Sequence, residues 1–340
     1  MLILRPAAKD DLDAIVALAR ELDSVNLPAD PDFLRARIEV SVASFGRKID
    51  DRRQGIYLFV LEDLETHRCI GTAMILAKTG TPEAPYYWLE VSTEERRSPE
   101  LDRRFLHTKL RLRSTDDGPT EVGGLILDPA YRRHPERCGK ALSVVRFAYI
   151  SMHPELFESF VIAEMLSRFE AAGTNLLWEA FGARFTGLSY READRLSART
   201  KQFIADLFPK DPVYATLFPA DVQQVIGQPN DTARAAVRIL ETIGFLPLNQ
   251  VDPFDGGPYY GAARDAIVSV RERRELVLPG RPRVAAPEAG SHALLSAEGR
   301  FGFRATVVTL DADQAPVVGD ACREALGVVE GDRVSVIPLP

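Results

Sequence analysis

Residues 2–5, LILR, form an apolar run that predicts a short strand. Asp10 and Asp11 then offer an N-cap to a helix carrying Leu12, Ile15, Leu18, Ala19 and Leu22 at helical spacing. Two strand-like runs, GIYLFVLED and RCIGTAMILAK, flank the polar turn LETH and predict a hairpin. Residues 120–128 read as the next strand. Residues 139–152 predict a helix that is apolar on almost every face, hence buried on several sides, and stopped where His153 precedes Pro154. SFVIAEML, 159–166, returns as a strand.

The stretch 167–230 is mostly helical in pattern but irregular. In TARAAVRILETIGF, residues Ala233, Ala236, Val237, Leu240 and Ile243 share one helix face, and Gly244 stands where a left-handed C-cap is expected. FLPLNQVDPF reads as a strand broken by the turn-forming DGGP, and a helix bearing RERR follows. Residues 279–300, rich in Pro, Gly and Ala, read as a linker or long loop. FRATVVTL and RVSVIPL predict a small β unit. The expected organisation is one unit over 1–278 with a helical insertion at about 167–230, a linker at 279–300, and the β unit at 301–340.

Composition narrows the function. The 340 residues are 46% hydrophobic and 27% charged, an ordinary globular balance. A net charge of −7 disfavours a general nucleic-acid role and leaves small anionic ligands open, since these need only a local basic patch. Cys69, Cys138 and Cys322 are odd in number, far apart and form no CxxC pair, so neither a disulfide framework nor a zinc knuckle is expected. No histidines pair at metal-ligand spacing, so no metal is expected. MLILRPAAKDD turns acidic too early for a signal peptide, and no apolar run reaches membrane-spanning length. The expectation is a reduced, cytoplasmic protein without membrane or nucleic-acid partners.

The segment AYRRHPERCGKAL, 130–142, joins a strand to the apolar helix. Arg132, Arg133, His134 and Arg137 lie beside the free N–H groups of a helix start, which reads equally as an anion cradle or a solvated basic turn. Ser143 and Arg146, three residues apart, share a helix face. A buried arginine needs an anion, and Glu164 on the following strand is the favoured ion-pair partner. A bound carboxylate or phosphate is the alternative. Cys138 is expected to be inert packing rather than a nucleophile. In DPFDGGP, Asp252 and Asp255 either cap their own turn or hold a cationic group.

The order of strand, basic turn, buried helix and strand, followed by ARAAVRILETIGF, resembles the GCN5-related acyltransferase superfamily. LILDPAYRR, the helix through Ser143 and Phe147, VIAEM, FPKDPVY, VIGQ and DPFDGGP more closely resemble arginine N-succinyltransferases, over nearly the whole chain. The resemblance implies an α/β (α+β) fold: a GCN5-related N-acyltransferase-like mixed sheet with flanking helices, plus the small C-terminal β unit. It also implies transfer of succinyl from succinyl-CoA, a co-substrate rather than a permanently bound cofactor, to L-arginine, in arginine catabolism. The family's succinyl-CoA-contacting leucine corresponds to Leu125. Leu125, Leu127, Arg132, Arg133, Gly139, Lys140 and Ser143 are the expected CoA contacts. Two departures stand out. PERC replaces a shorter loop with two glycines, so that only Gly139 survives. The family's proton-donor histidine, two residues after VIGQ, corresponds to Asn230, which neither gives nor takes a proton near neutral pH.

Acyl transfer to an amine requires a deprotonated amine, a polarised thioester oxygen and a departing thiolate. The expected parts are a peptide N–H at 125–127, Glu164 as base, Asn230 orienting substrate, and Tyr131 or Tyr149 as acid toward sulfur. Arg146, Asp252 and Asp255 are the expected substrate contacts, with one of the aspartates on the guanidinium. A different amine or acyl donor, or a non-catalytic CoA-binding subunit of a paired enzyme, is the competing expectation. A homo-oligomer and a paired family subunit are both open.

Overall fold

In the computed structural model the described residues are 1–21, 27–82, 84–170, 173–197, 200–280 and 291–340. Strands β1 (Leu2–Pro6), β2 (Ile56–Asp63) and β3 (Arg68–Leu76) meet antiparallel, and LETH turns between β2 and β3. Their near-continuous apolar runs follow from burial on both faces. Leu58 and Val60 of β2 pack with Ile15, Leu34 and Ile38 of helices α1 (Leu12–Glu21) and α2 (Pro31–Phe45). Tyr57, Phe59 and Leu61 pack on the opposite face with helix α3 (Cys138–Met152). Eleven of the fifteen α3 residues are buried, which explains its all-round apolarity. The N-cap expected of Asp10 and Asp11 falls earlier. Both lie in a short 3-10 turn, where the Asp11 carboxylate accepts the Ala8 N–H at 2.7 Å and pairs with Arg5.

The sheet continues through β4 (Tyr86–Ser98), β5 (Arg103–Thr115), β6 (Thr120–Leu127), β7 (Phe160–Glu164) and β8 (Val213–Tyr214). It is completed by β9 (Leu246–Val251), β10 (Pro258–Ala263), β11 (Arg274–Val277), β12 (His292–Gly299), β13 (Gly302–Thr309) and β14 (Arg333–Pro338). The spatial order is β11-β14-β12-β13-β1-β2-β3-β6-β7-β10-β9-β4-β5-β8. Among the described strands, β6 and β7 are the one parallel pair.

Helices α4 (Leu176–Ala180), α5 (Gly182–Thr186), α6 (Tyr190–Ser197), α7 (Gln202–Leu207) and α8 (Ala220–Val225) lie between β7 and β9 in the chain. They close over Tyr87, Leu89, Leu110 and Val251 with their own core around Trp178 and Phe181. Helix α9 (Arg234–Thr242) ends before Gly244, whose φ of +100° is the left-handed conformation a glycine adopts freely. Helices α10 (Val268–Arg271) and α11 (Asp320–Leu326) complete the set.

Three expectations are corrected. RERR does not sit in a long helix: α10 is one turn, and β11 begins at Arg274. Within the expected linker, residues His292–Gly299 form β12, paired to both β13 and β14 with Ala293 through Ala297 buried, while residues 281–290 lie outside the described residues. The long β4–β5 hairpin is unanticipated in the sequence. Its distal half is exposed on both faces, so it carries no alternation to read.

Candidate functional site

The site begins where β6 and β7 part. They pair at Thr120↔Val161 and Glu121↔Ile162 and no further. On its other side β6 slips register against β3 between Thr72↔Ile126 and Met74↔Gly123, a β-bulge with Gly124 at φ +58°. A Cβ on Gly124 would lie 2.9 Å from that of Met74. The bulge turns Val122 toward the α3 core and Ile126 toward the α1–α2 core. Leu125 and Leu127 are left half-buried beside α3. Beyond Glu121 the edge of β6 toward β7 has no strand partner among the described residues, so its peptide groups face the gap.

On the α3 side lies the basic turn. Arg133 and Arg137 have φ of +66° and +54°, and Arg137 caps α3 without any side-chain bond. Among the described residues the first N–H groups of this fifteen-residue helix thus have no capping side chain, an arrangement suited to anions. Arg132, Arg133 and Arg137 are exposed. Gly139 is not required by space: a Cβ there meets nothing nearer than Leu127 Cδ2 at 3.8 Å. The Lys140 ammonium donates to the carbonyl oxygen of Pro340. Burial pushes the Cys138 thiol up to about 11, so it stays protonated and is no nucleophile.

The expected Arg146–Glu164 ion pair is not formed among the described residues. Arg146 Nε donates to the Ser143 carbonyl at 3.1 Å, and Nη2 to Ser143 Oγ at 3.0 Å. Burial alone draws the guanidinium down to about 10. The reason is strand alternation. Val161, Ala163 and Met165 face α3, whereas Ile162 packs with Tyr86 and Tyr259 on the opposite face, and Glu164 shares the parity of Ile162. Tyr131 and Tyr149 are also committed elsewhere. Tyr131 donates to Asp63 Oδ2 at 2.7 Å, and Tyr149 is packed among Phe45, Tyr57 and Phe303.

Away from α3, carboxylates gather. Oxygens of Glu164, Asp252 and Asp255 lie within 4.8 Å of one another. Tyr259 donates its hydroxyl to Glu164 Oε2 at 3.2 Å. Asp252 Oδ1 accepts the N–H groups of Phe254 and Asp255, at 2.7 and 3.0 Å. Asp255 Oδ2 accepts from Ser167 N at 2.8 Å and Oδ1 from Gly257 N at 2.7 Å, tying the 252–258 turn to the end of β7. Phe254 stacks on Trp178, 5.1 Å between centroids and 4° from parallel. Glu121, on β6, belongs electrostatically to the group, and the sequence reading missed it. Its one signal was a lone acid in an otherwise apolar strand. Burial raises the carboxyls of Glu121 and Asp252. Burial, then the charges of Asp252 and Glu121, holds Glu164 well above the usual range, and burial beside Asp252 pushes Asp255 up to about 7.

A cleft of about 1470 Å³ is walled by Leu166, Tyr190, Asp194 and Asn230 together with Arg168 and Arg191, and none of Glu121, Glu164, Asp252 and Asp255 lines it. The Asn230 N–H donates to the Leu166 carbonyl at 2.8 Å, and its Oδ1 accepts from Ala233 N and Thr232 Oγ1, each at 2.8 Å.

Residues 2–269 match the family described as arginine N-succinyltransferase beta subunit. The chain belongs to the arginine N-succinyltransferase family. Curated arginine N-succinyltransferases of Citrobacter koseri and of Photorhabdus laumondii subsp. laumondii are 33% and 32% identical to it, over 100% of this chain and 98% of each relative. The solved structure of arginine/ornithine succinyltransferase subunit AI from Pseudomonas aeruginosa superposes with a TM-score of 0.84 at 30% identity, covering 100% of this chain and 99% of that one. Within this arginine N-succinyltransferase family member, the carboxamide at 230 braces the turn that leads into α9. Replacing Asn230 by Ala is expected to cost about 1 kcal/mol of stability with turnover changed by less than about two-fold. Chemical denaturation and a rate assay check it, and a large fall in turnover at parental stability would give the side chain a role in catalysis.

Proposed function

We propose that the protein transfers succinyl from succinyl-CoA to the α-amine of L-arginine, releasing CoA and N2-succinylarginine, in the cytoplasm. The observation that carries the reading is the gap between β6 and β7, with an uncapped basic helix start on one side and a carboxylate cluster on the other. The pyrophosphate lies on the 130–142 turn, near Arg132 and Arg133. A peptide N–H of β6 between Leu125 and Leu127 polarises the thioester oxygen. An ionised cluster carboxylate, Glu164 or Glu121, takes a proton from the α-ammonium. The amine nitrogen bonds to the thioester carbon, the C–S bond breaks, sulfur leaves with the electron pair, and the second proton that the nitrogen gives up passes through solvent to that sulfur, giving the CoA thiol. Arg146, on the wrong face for the amine, is assigned to supporting Ser143.

The test is thiol release from succinyl-CoA over arginine, ornithine and lysine. Release with arginine alone supports the reading. Asn230 favours a second reading, a different amine or acyl donor or a CoA-binding subunit of a paired enzyme, which tight CoA binding without turnover would support. Sizing the purified chain tells a homo-oligomer from a chain awaiting its partner. Arg132→Ala with Arg133→Ala is expected to raise the KM for succinyl-CoA about ten-fold or more with kcat little changed. An unmoved KM in the double variant takes these side chains out of the cradle.

A further inference from the structure

Among the described residues, no lysine or arginine forms an ion pair with Glu121, Glu164, Asp252 or Asp255. Lys201 acts on Glu121 and Asp252, and Arg37 on Glu121, only at longer range. Arg37 instead sits over the Phe33 ring at 4.9 Å. Backbone N–H groups occupy both oxygens of Asp255 and one of Asp252. Among the described residues no N–H group meets the second oxygen of Asp252 or Oε1 of Glu164, and the Tyr259 hydroxyl reaches both acids.

Of two buried hydroxyls near the cluster, Ser167 Oγ has no partner among the described residues, and Tyr86 Oη has only the Tyr259 hydroxyl near it, outside good hydrogen-bond geometry. Tyr86 is 6% exposed, and its ring meets Tyr259 edge-on at 5.5 Å. Its hydroxyl lies in the negative field of Glu121 and Glu164. Ser167 is fully buried, and its own N–H holds Asp255. A buried polar group without a partner is costly, and a hydroxyl beside ionised carboxylates can accept from an N–H donor that a ligand brings.

We propose that the Glu164–Asp252–Asp255 cluster is the receiving site for a cationic N–H group of the acceptor, and that this cation displaces a proton which the carboxylates otherwise share. The proposal rests on the acceptor being arginine or a related amine. Carboxylates this close cannot all ionise, so the cluster without a cation holds a proton near neutral pH. The raised Glu164 and Asp255 carboxyls, Glu121 from β6, Asp194 from α6 and the two tyrosines all bear on that proton. A substrate cation needs the ionised form, so its affinity rises with pH until the cluster is ionised. A calcium ion fits less well: six to eight oxygens are its ordinary complement, and three of the six in this trio already accept N–H groups.

Isothermal titration with L-arginine, without succinyl-CoA, in two buffers of unlike ionisation enthalpy counts the protons released. The expected result at about pH 7 is release of about half a proton or more, with affinity falling as pH falls. Glu164→Gln abolishes most of that release, and Asp252→Asn reduces it, while circular dichroism checks that both fold. Glu95→Gln, on the β4–β5 hairpin, leaves it unchanged. Nα-acetylarginine keeps only the guanidinium and norvaline only the ammonium, so whichever reproduces the release names the end received. Arginine binding without proton release, release undiminished in Glu164→Gln, or no arginine binding overturns the proposal. Proton-linked binding with no thiol release leaves the site standing and removes the turnover reading. Thiol release with unlinked binding does the reverse.

Discussion

Gly257→Ala is expected to destabilise the fold by about 3 kcal/mol and to abolish arginine-dependent thiol release. The added Cβ would lie 2.0 Å from the Met165 carbonyl oxygen and 2.9 Å from Asp255 Oδ1. The first of these is backbone of the residue that follows β7, so it cannot rotate away. The Gly257 N–H also donates to Asp255, and the Asp252 N–H to the Gly257 carbonyl at 2.9 Å. Any shift that relieves the clash therefore moves two of the three clustered carboxylates. Gly139→Ala is the matched control, with nothing nearer than 3.8 Å, and parental stability is expected. A lowered denaturation midpoint together with lost turnover checks the first variant. Gly257→Ala at parental stability would mean that the turn is not clamped to β7.

Glu164→Gln is expected to lower kcat/KM for arginine by about 10²- to 10⁴-fold, because the change keeps shape while removing a proton acceptor. In the parent the relevant carboxyl is raised by burial and by Asp252, so its basic form is present above the raised pKa and is lost as pH falls. The rate should climb from mildly acidic toward alkaline pH, and the variant should lose that limb. Glu121→Gln identifies the acceptor by contrast, since Glu121 stands at the last paired position of β6 and β7. Turnover within two-fold of parent in Glu164→Gln would pass the role to Glu121.

Much of this framework was legible from residues. The β2–β3 hairpin announced itself by two apolar runs around LETH, and α3 by apolarity on every side, because both patterns record burial directly. FDGGP and VIGQ carried the family. What could not be read was which face a residue ends on. The parity that separates Glu164 from Arg146 is set by how β7 lies against β10 and α3, a contact between distant segments. Gly124 reverses the parity of β6 midway, so an alternation count along TEVGGLIL misplaces the residues after it. Glu121 was overlooked because a single acid in a strand says nothing until Glu164 and Asp252 arrive from elsewhere in the chain.

The place of β1 in the sheet also sets an order in time. It lies between β2 and β13, and the Thr306 hydroxyl closes on the Leu2 carbonyl across 304 positions of sequence. A ribosome makes β1 well before β13, so the seam between them waits for all the residues that separate Leu2 from Thr306. Until then β1 presents an open, apolar edge, and such distant pairings form slowly. Stalled or shortened products are for that reason the species most exposed to aggregation and to proteolysis.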